Sequence, residues 1–239
     1  MSAPQFDEPM PRRMRGLPRD HRGFAVPYFV AWLRDGKEVN IGYGEPDFRI
    51  LSPSRMRRCK SERLCWLCGH KLGSFLVFAI GPMCAATRTT MEPPAHLECA
   101  RYSVKVCPFL SRPRMRRNDV EMPEGHWAPG TTIERNPGVT ALWVTKSYTT
   151  FDAGAVGGAT PGELIRVGEA ERVEWWREGR AATRDEVIAS IDSGLPALRE
   201  IADKQDASPP MLPPDDPRGA RYALEIGRAS CRERVSECV

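Results

Sequence analysis

Apolar residues fall into short runs along this chain, and their period changes from run to run. Residues 25–33, AVPYFVAWL, and 46–51, PDFRIL, are rich in aromatic and branched side chains with partial alternation, and predict two strands on either side of Gly42 and Gly44. SPSRMRRCKSERL, 52–64, offers a serine N-cap and a proline at the first helical position, with no breaker after it, which predicts a short basic helix. The stretch FLVFAIGPMCAATRTT, 75–90, has two apolar arms about Gly81 and Pro82 and predicts a hairpin. In EPPAHLECARYSVKVCPFL, Pro93, Pro94 and Pro108 bracket a helix whose apolar face holds Ala100, Val104 and Cys107.

Beyond the basic segment SRPRMRRND and a turn-rich stretch to Gly138, VTALWVTKSYTTF predicts a strand or a strand pair. A glycine-rich loop at 151–162 and a strand at ELIRVG follow. The remainder reads as helical: AERVEWWRE up to Gly179, then a helix opened by a Thr183–Glu186 capping box and closed by Gly194, then PALREIADK. Trp175 and Trp176, adjacent on a helix, would point about 100° apart, one packing inward and one free for a partner. With 22 prolines and 20 glycines, short elements and no long regular helix are expected.

These elements make the fold class α+β: a small treble-clef-like zinc-binding domain with flanking strands, then a short strand and a helical C-terminal region. The expected boundaries are an irregular basic arm at 1–23, the zinc-binding domain at 24–118, an α+β C-terminal domain at 119–206 and a Pro-rich tail at 207–224. The string EIGRASCRERV reads like one frame of a sequencing-library adapter, so 225–239 is set aside as an artefact. The N-terminus lacks a secretory pattern, and the apolar stretch 75–86 is interrupted and short of the roughly 20 residues that cross a bilayer. A soluble, cytoplasmic protein without membrane contact is the expectation.

Chemistry concentrates in the cysteines. Clustered thiols in an intracellular chain read first as metal ligands. Cys65 and Cys68 form a C-x-x-C turn, which places two thiolates on one knuckle, and His96 and Cys99 share one side of a helix's first turn. A knuckle, a hairpin, and a helix supplying the second pair is the order of a treble clef, with Cys65, Cys68, His96 and Cys99 around structural zinc. His70 and Cys84 are alternatives to His96. Four protein ligands leave no position for water, so such a site contributes folding free energy and no nucleophile.

Charge is split. Residues 1–118 carry 21 Lys plus Arg against 10 Asp plus Glu, whereas 119–239 carry 14 against 21. The basic front half fits DNA or RNA, with Arg55, Arg57, Arg58, Arg112, Arg114, Arg116 and Arg117 as the candidate contacts, although a charge run is usually a solvated face. Trp66 could stack on a base or pack in the core. A protein partner at 170–204 is the first alternative. A treble-clef, His-metal-finger nuclease is the second, weakened because SFLVFAI carries no histidine. His126 and Trp127 stand in a turn without a nucleophile or base beside them.

The strings RGFAVPYFVAW, PDFRIL, CWLCGHKLG, GPMCAATRTTMEPPAHLECA, CPFLSRPRMRR and WWREGRAATRDEVIASIDSGLP resemble a family of phage and prophage proteins, over about residues 19–204. The resemblance implies a phage-encoded or prophage-encoded protein of the bacterial host cytoplasm. It carries no activity over to any residue.

Overall fold

The structure is a computed structural model, and it describes residues 8–112, 115, 136, 138–152 and 163–206. Strand β1 (Val30–Arg34) turns through Asp35 and Gly36, at φ 52° and 72°, into β2 (Lys37–Val39). Two left-handed residues are what a tight hairpin needs. β3 (Glu45–Leu51) crosses to the free edge of β1, giving the order β2-β1-β3. The sequence reading missed β2 because Lys-Glu-Val shows no apolar alternation. Helix α1 (Pro53–Glu62) begins as expected: Ser52 Oγ accepts the Arg55 amide at 3.2 Å and Pro53 takes the first position.

The expected hairpin about Gly81 and Pro82 does not form. β4 (Leu76–Ile80) is followed by helix α2 (Pro82–Thr87) and then β5 (Thr89–Thr90). A proline in a second hairpin arm removes a ladder donor, whereas at the first helical position it is preorganised, and Met83 to Ala86 continue the helix. α3 (Leu97–Val106) lies between the bracketing prolines with Ala100 and Val104 buried, and α4 (Pro108–Ser111) adds a turn. β6 (Thr140–Thr145) and β7 (Tyr148–Asp152) are the expected strand pair but join different sheets, and β8 (Glu163–Val167) pairs with β7.

Two further expectations are corrected. AERVEWWRE is not a helix; its residues supply β9 (Arg172–Arg177), which leads to β10 (Arg180–Ala181). Val and two Trp suit a pleated surface, and the two tryptophans point to opposite faces instead of standing 100° apart. The C-terminal helices are one helix, α5 (Arg184–Asp206), 23 residues long with Pro196 inside it, which also overturns the expectation of short helices only. Gly194 serves packing and not termination: a Cβ there would come within 3.1 Å of the Met83 side chain, so the missing side chain lets α5 approach α2.

The central sheet has the order β10-β9-β6-β4, all antiparallel. Its register puts Val77, Leu142, Glu174 and Trp176 on one face and Phe78, Trp143, Val173 and Trp175 on the other. α3 covers the first face, where Arg101 grips Glu174 at 2.6 and 2.9 Å and Lys105 lies over the Trp176 ring. The second face meets the β5-β8-β7 sheet, where Phe78 and Tyr148 stand edge to face at 5.8 Å. All of β6 is buried, as a strand covered on both faces should be. β4, from the first half of the chain, therefore shares one sheet with β6 and β9 from the second, and among the described residues the two halves contribute to one core. No helix among the described residues is long and apolar enough to cross a membrane.

The Thr183–Glu186 capping box forms: the Thr183 amide donates to Glu186 at 2.8 Å and the Glu186 amide to Thr183 Oγ1 at 3.3 Å. Arg180 and then the Thr183 amide hold the Glu186 carboxyl down at about 2. A depressed carboxylate stabilises above its ordinary range, so this contribution is complete at neutral pH and is lost as pH falls toward 2. Thr183→Ala is expected to cost about 1 kcal/mol. Phe78→Ala, which empties a side chain only 1% exposed, is expected to cost about 3–5 kcal/mol, and urea unfolding measures both.

Candidate metal centre

Residues 64–72 fold on themselves as a knuckle. Leu64 bridges Lys71, the Cys65 amide donates to the His70 carbonyl at 2.8 Å, and the Gly69 amide donates to the Cys65 carbonyl at 2.7 Å. Gly69 is left-handed at φ +76°, and a Cβ there would lie 2.8 Å from the Tyr28 ring, so both conformation and space select glycine. The knuckle is pinned from outside by the Tyr28 and Phe29 amides, which donate to the Leu67 and Trp66 carbonyls at 2.9 and 3.0 Å. Trp66 is 7% exposed and stacks on Phe29 at 4.5 Å, which places it in the core and not on a nucleic-acid surface.

The second pair of ligands arrives on α3. His96 is the N-cap and Cys99 sits in the first turn. What remains of a hairpin is one bridge, with Val77 and Ala95 exchanging amide hydrogen bonds at 3.0 and 2.8 Å, and it delivers the next residue, His96, to the knuckle. The ligand atoms of Cys65, Cys68, His96 and Cys99 lie within 4.8 Å of one another. His96 Nδ1 is 3.4 Å from Cys68 Sγ and 3.9 Å from Cys99 Sγ. Tetrahedral zinc with Zn–S near 2.3 Å sets ligand separations of roughly 3.8 Å, so the cluster is of the size the ion needs.

The histidine tautomer is set by its other nitrogen. Nε2 is 3.0 Å from the Lys71 carbonyl, which only accepts, so Nε2 carries the proton and the Nδ1 lone pair faces the sulfurs. The His96 amide lies 3.5 Å from Cys65 Sγ. All three thiols are at most 5% exposed, and none is in a disulfide. Without a cation the groups share protons instead. Hydrogen bonds to Cys65 and Cys68 push His96 up to about 10, against burial. Burial opposes ionisation of Cys65, but hydrogen bonds from Cys68, Cys99 and His96 outweigh it and draw this thiol down. Hydrogen bonds to Cys65 and Cys68 push Cys99 up.

Three thiols and one imidazole in a dry pocket of this size fit a borderline-soft divalent ion such as zinc, held by all four side chains. The structure places neither alternative to His96 in the group: His70 is exposed and offers only its backbone carbonyl to the knuckle, and Cys84 lies on α2. Cys59 is fully buried on α1, where burial pushes its thiol up to about 12. Among the described residues no other group of three or more His, Cys, Asp or Glu is gathered in this way.

The arginine candidates divide. Arg55 is 7% exposed and donates to the Val30 carbonyl, which ties α1 to β1 and turns its guanidinium inward. Arg58 is held by Glu62 at 2.7 and 3.0 Å. Arg57 and Arg112 are exposed, whereas Arg114, Arg116 and Arg117, like His126 and Trp127, lie outside the described residues. In the 170–204 segment Trp175 is buried and Trp176 lies under Lys105. Sequence reasoning missed Lys71, whose role runs through a backbone carbonyl, and missed Arg13 and Met14 in the arm, because no side-chain pattern marks such contacts.

No protein-family model, curated protein or solved structure matches the chain.

Removing any ligand leaves an incomplete, buried donor set. His96→Ala and Cys99→Ser are expected to lose stoichiometric metal by elemental analysis and to lower the melting temperature, while His70→Ala keeps both. In metal-free protein the raised His96 stabilises the fold below its ordinary range, and that contribution is lost as pH rises through about 10. Metal uptake displaces the shared protons, so metal affinity, measured by chelator competition, should weaken as pH falls from 8 to 6, and uptake in weak buffer should release acid; pH-independent uptake would contradict this site.

Proposed function

We propose that this chain is a zinc-stabilised nucleic-acid or nucleoprotein binding protein, phage-encoded or prophage-encoded, that works in the bacterial host cytoplasm around a treble-clef-like knuckle and helix. The observation that carries the reading is the completeness of the donor set: four protein side chains converge, so the ion organises a surface and opens no position to a substrate. Exposed basic residues accompany it in the same part of the chain. Arg12, Arg13, Arg15, Arg57, Arg63 and Lys71 are exposed on the arm, on α1 and at the base of the knuckle. A positive field of this kind draws phosphodiesters and makes their binding salt-dependent.

A second reading rests on an observation elsewhere. An open groove of about 420 Å³ between Val173, Trp175, Trp176, Ala182, Arg184 and Val187 would take an apolar side chain of a protein partner, as an adaptor requires. One purified sample separates the readings. Elemental analysis is expected to give about one zinc per chain, with retention on DNA or RNA that fades as salt rises. Zinc without any retention would favour the adaptor, and divalent-metal-dependent strand cleavage would favour a nuclease.

A further inference from the structure

The N-terminal turn is built unlike a solvated charge run. Residues Arg12–Met14 form a 3-10 turn, closed by the Met14 amide on the Pro11 carbonyl at 2.9 Å. Met14 is 3% exposed and belongs to the same core cluster as Cys65, Cys68 and Cys99. Arg13 donates to Glu98 in the first turn of α3, and Lys105 near the other end of that helix holds Glu8 at 2.7 Å. The turn is therefore clamped onto the helix that supplies two of the metal ligands.

Side chains three apart on a 3-10 turn eclipse, so Arg12 and Arg15 stand on one side of it, and both are exposed. Arg15 Nε donates to the Met10 carbonyl at 3.3 Å, and among the described residues neither guanidinium meets a carboxylate. Guanidinium forks match phosphate oxygens, and side chains on an anchored backbone lose less freedom when they bind than those on a loose arm. The cations of α1 are largely engaged elsewhere: Arg55 is buried, Arg58 holds Glu62 and Lys60 holds Glu163 at 2.7 Å.

We infer that Arg12 and Arg15 are the phosphate grip of this protein, a pair that seats consecutive phosphates of a nucleic-acid backbone against the metal-bearing helix. This rests on the nucleic-acid reading and specifies its surface. It also moves the contact away from α1.

The test compares the full chain with Arg12→Ala/Arg15→Ala, which leaves the Arg13–Glu98 pair and Met14 intact, and with Arg112→Ala/Arg114→Ala/Arg116→Ala/Arg117→Ala. Each is titrated with fluorescent mixed-sequence oligonucleotides, duplex and single-stranded, over a range of salt. Metal content and melting temperature are measured alongside, so that lost binding is not lost folding. The double variant is expected to bind duplex roughly 10- to 100-fold more weakly near 0.1 M salt, with a salt slope shallower by about 1.8, the share of two phosphate contacts. An unchanged slope in the double variant, with binding lost only in the quadruple one, overturns the Arg12–Arg15 grip and leaves the nucleic-acid reading standing. Failure of the unsubstituted protein to bind either oligonucleotide removes that reading, and the grip with it.

Discussion

Three thiols and an imidazole are gathered in a pocket from which water is nearly excluded, and the surrounding chain is arranged to keep them there. Left alone, these groups hydrogen-bond one another, which pushes His96 and Cys99 up and draws Cys65 down. A cation among them replaces these contacts with bonds far stronger than any hydrogen bond in the fold. Each of the four side chains is positioned by contacts that need no ion: the knuckle by the Tyr28 and Phe29 amides, His96 by the Lys71 carbonyl, and α3 by the Val77–Ala95 bridge. This preorganisation turns four side chains into a site, because an unpositioned set would lose its conformational freedom on binding.

The site also explains the layering. α3 begins at His96 and Cys99 and runs across one face of the central sheet, so Arg101 and Lys105 meet Glu174 and Trp176 as a consequence of where the helix starts. The opposite face is closed by Phe78 against Tyr148, and α2 carries α5 through the Met83–Gly194 contact. One core thus reaches from the knuckle to Leu195.

Arginine is used here in two distinct ways. Arg55 is a structural brace, its buried guanidinium spent on a backbone carbonyl of β1, and burial lowers its pKa. Arg12 and Arg15 carry the same head groups on a backbone held by Met14, with their charge facing solvent. Composition cannot separate these uses, since both sets stand in basic, proline-bearing strings. Burial and clamping separate them.

The gathering of these four side chains was legible in the sequence because metal-ligand chemistry restricts both residue type and spacing: Cys65 and Cys68 on one turn, and His96 and Cys99 three apart at a helix start. The caps were legible for a similar reason, since Ser52, Pro53, Thr183 and Glu186 act through neighbours within four residues. What lay beyond local range had to await the tertiary structure. Glu174, Trp175 and Trp176 became a strand because β6 offered a partner edge, Pro82 started a helix because Ala95 and β6 took the places beside β4 that a hairpin arm would have filled, and α5 ran past Gly194 because Met83 filled the space that a side chain would need. Local chemistry is written in adjacent residues, whereas pairing, burial and close approach are decided by residues far apart in the chain.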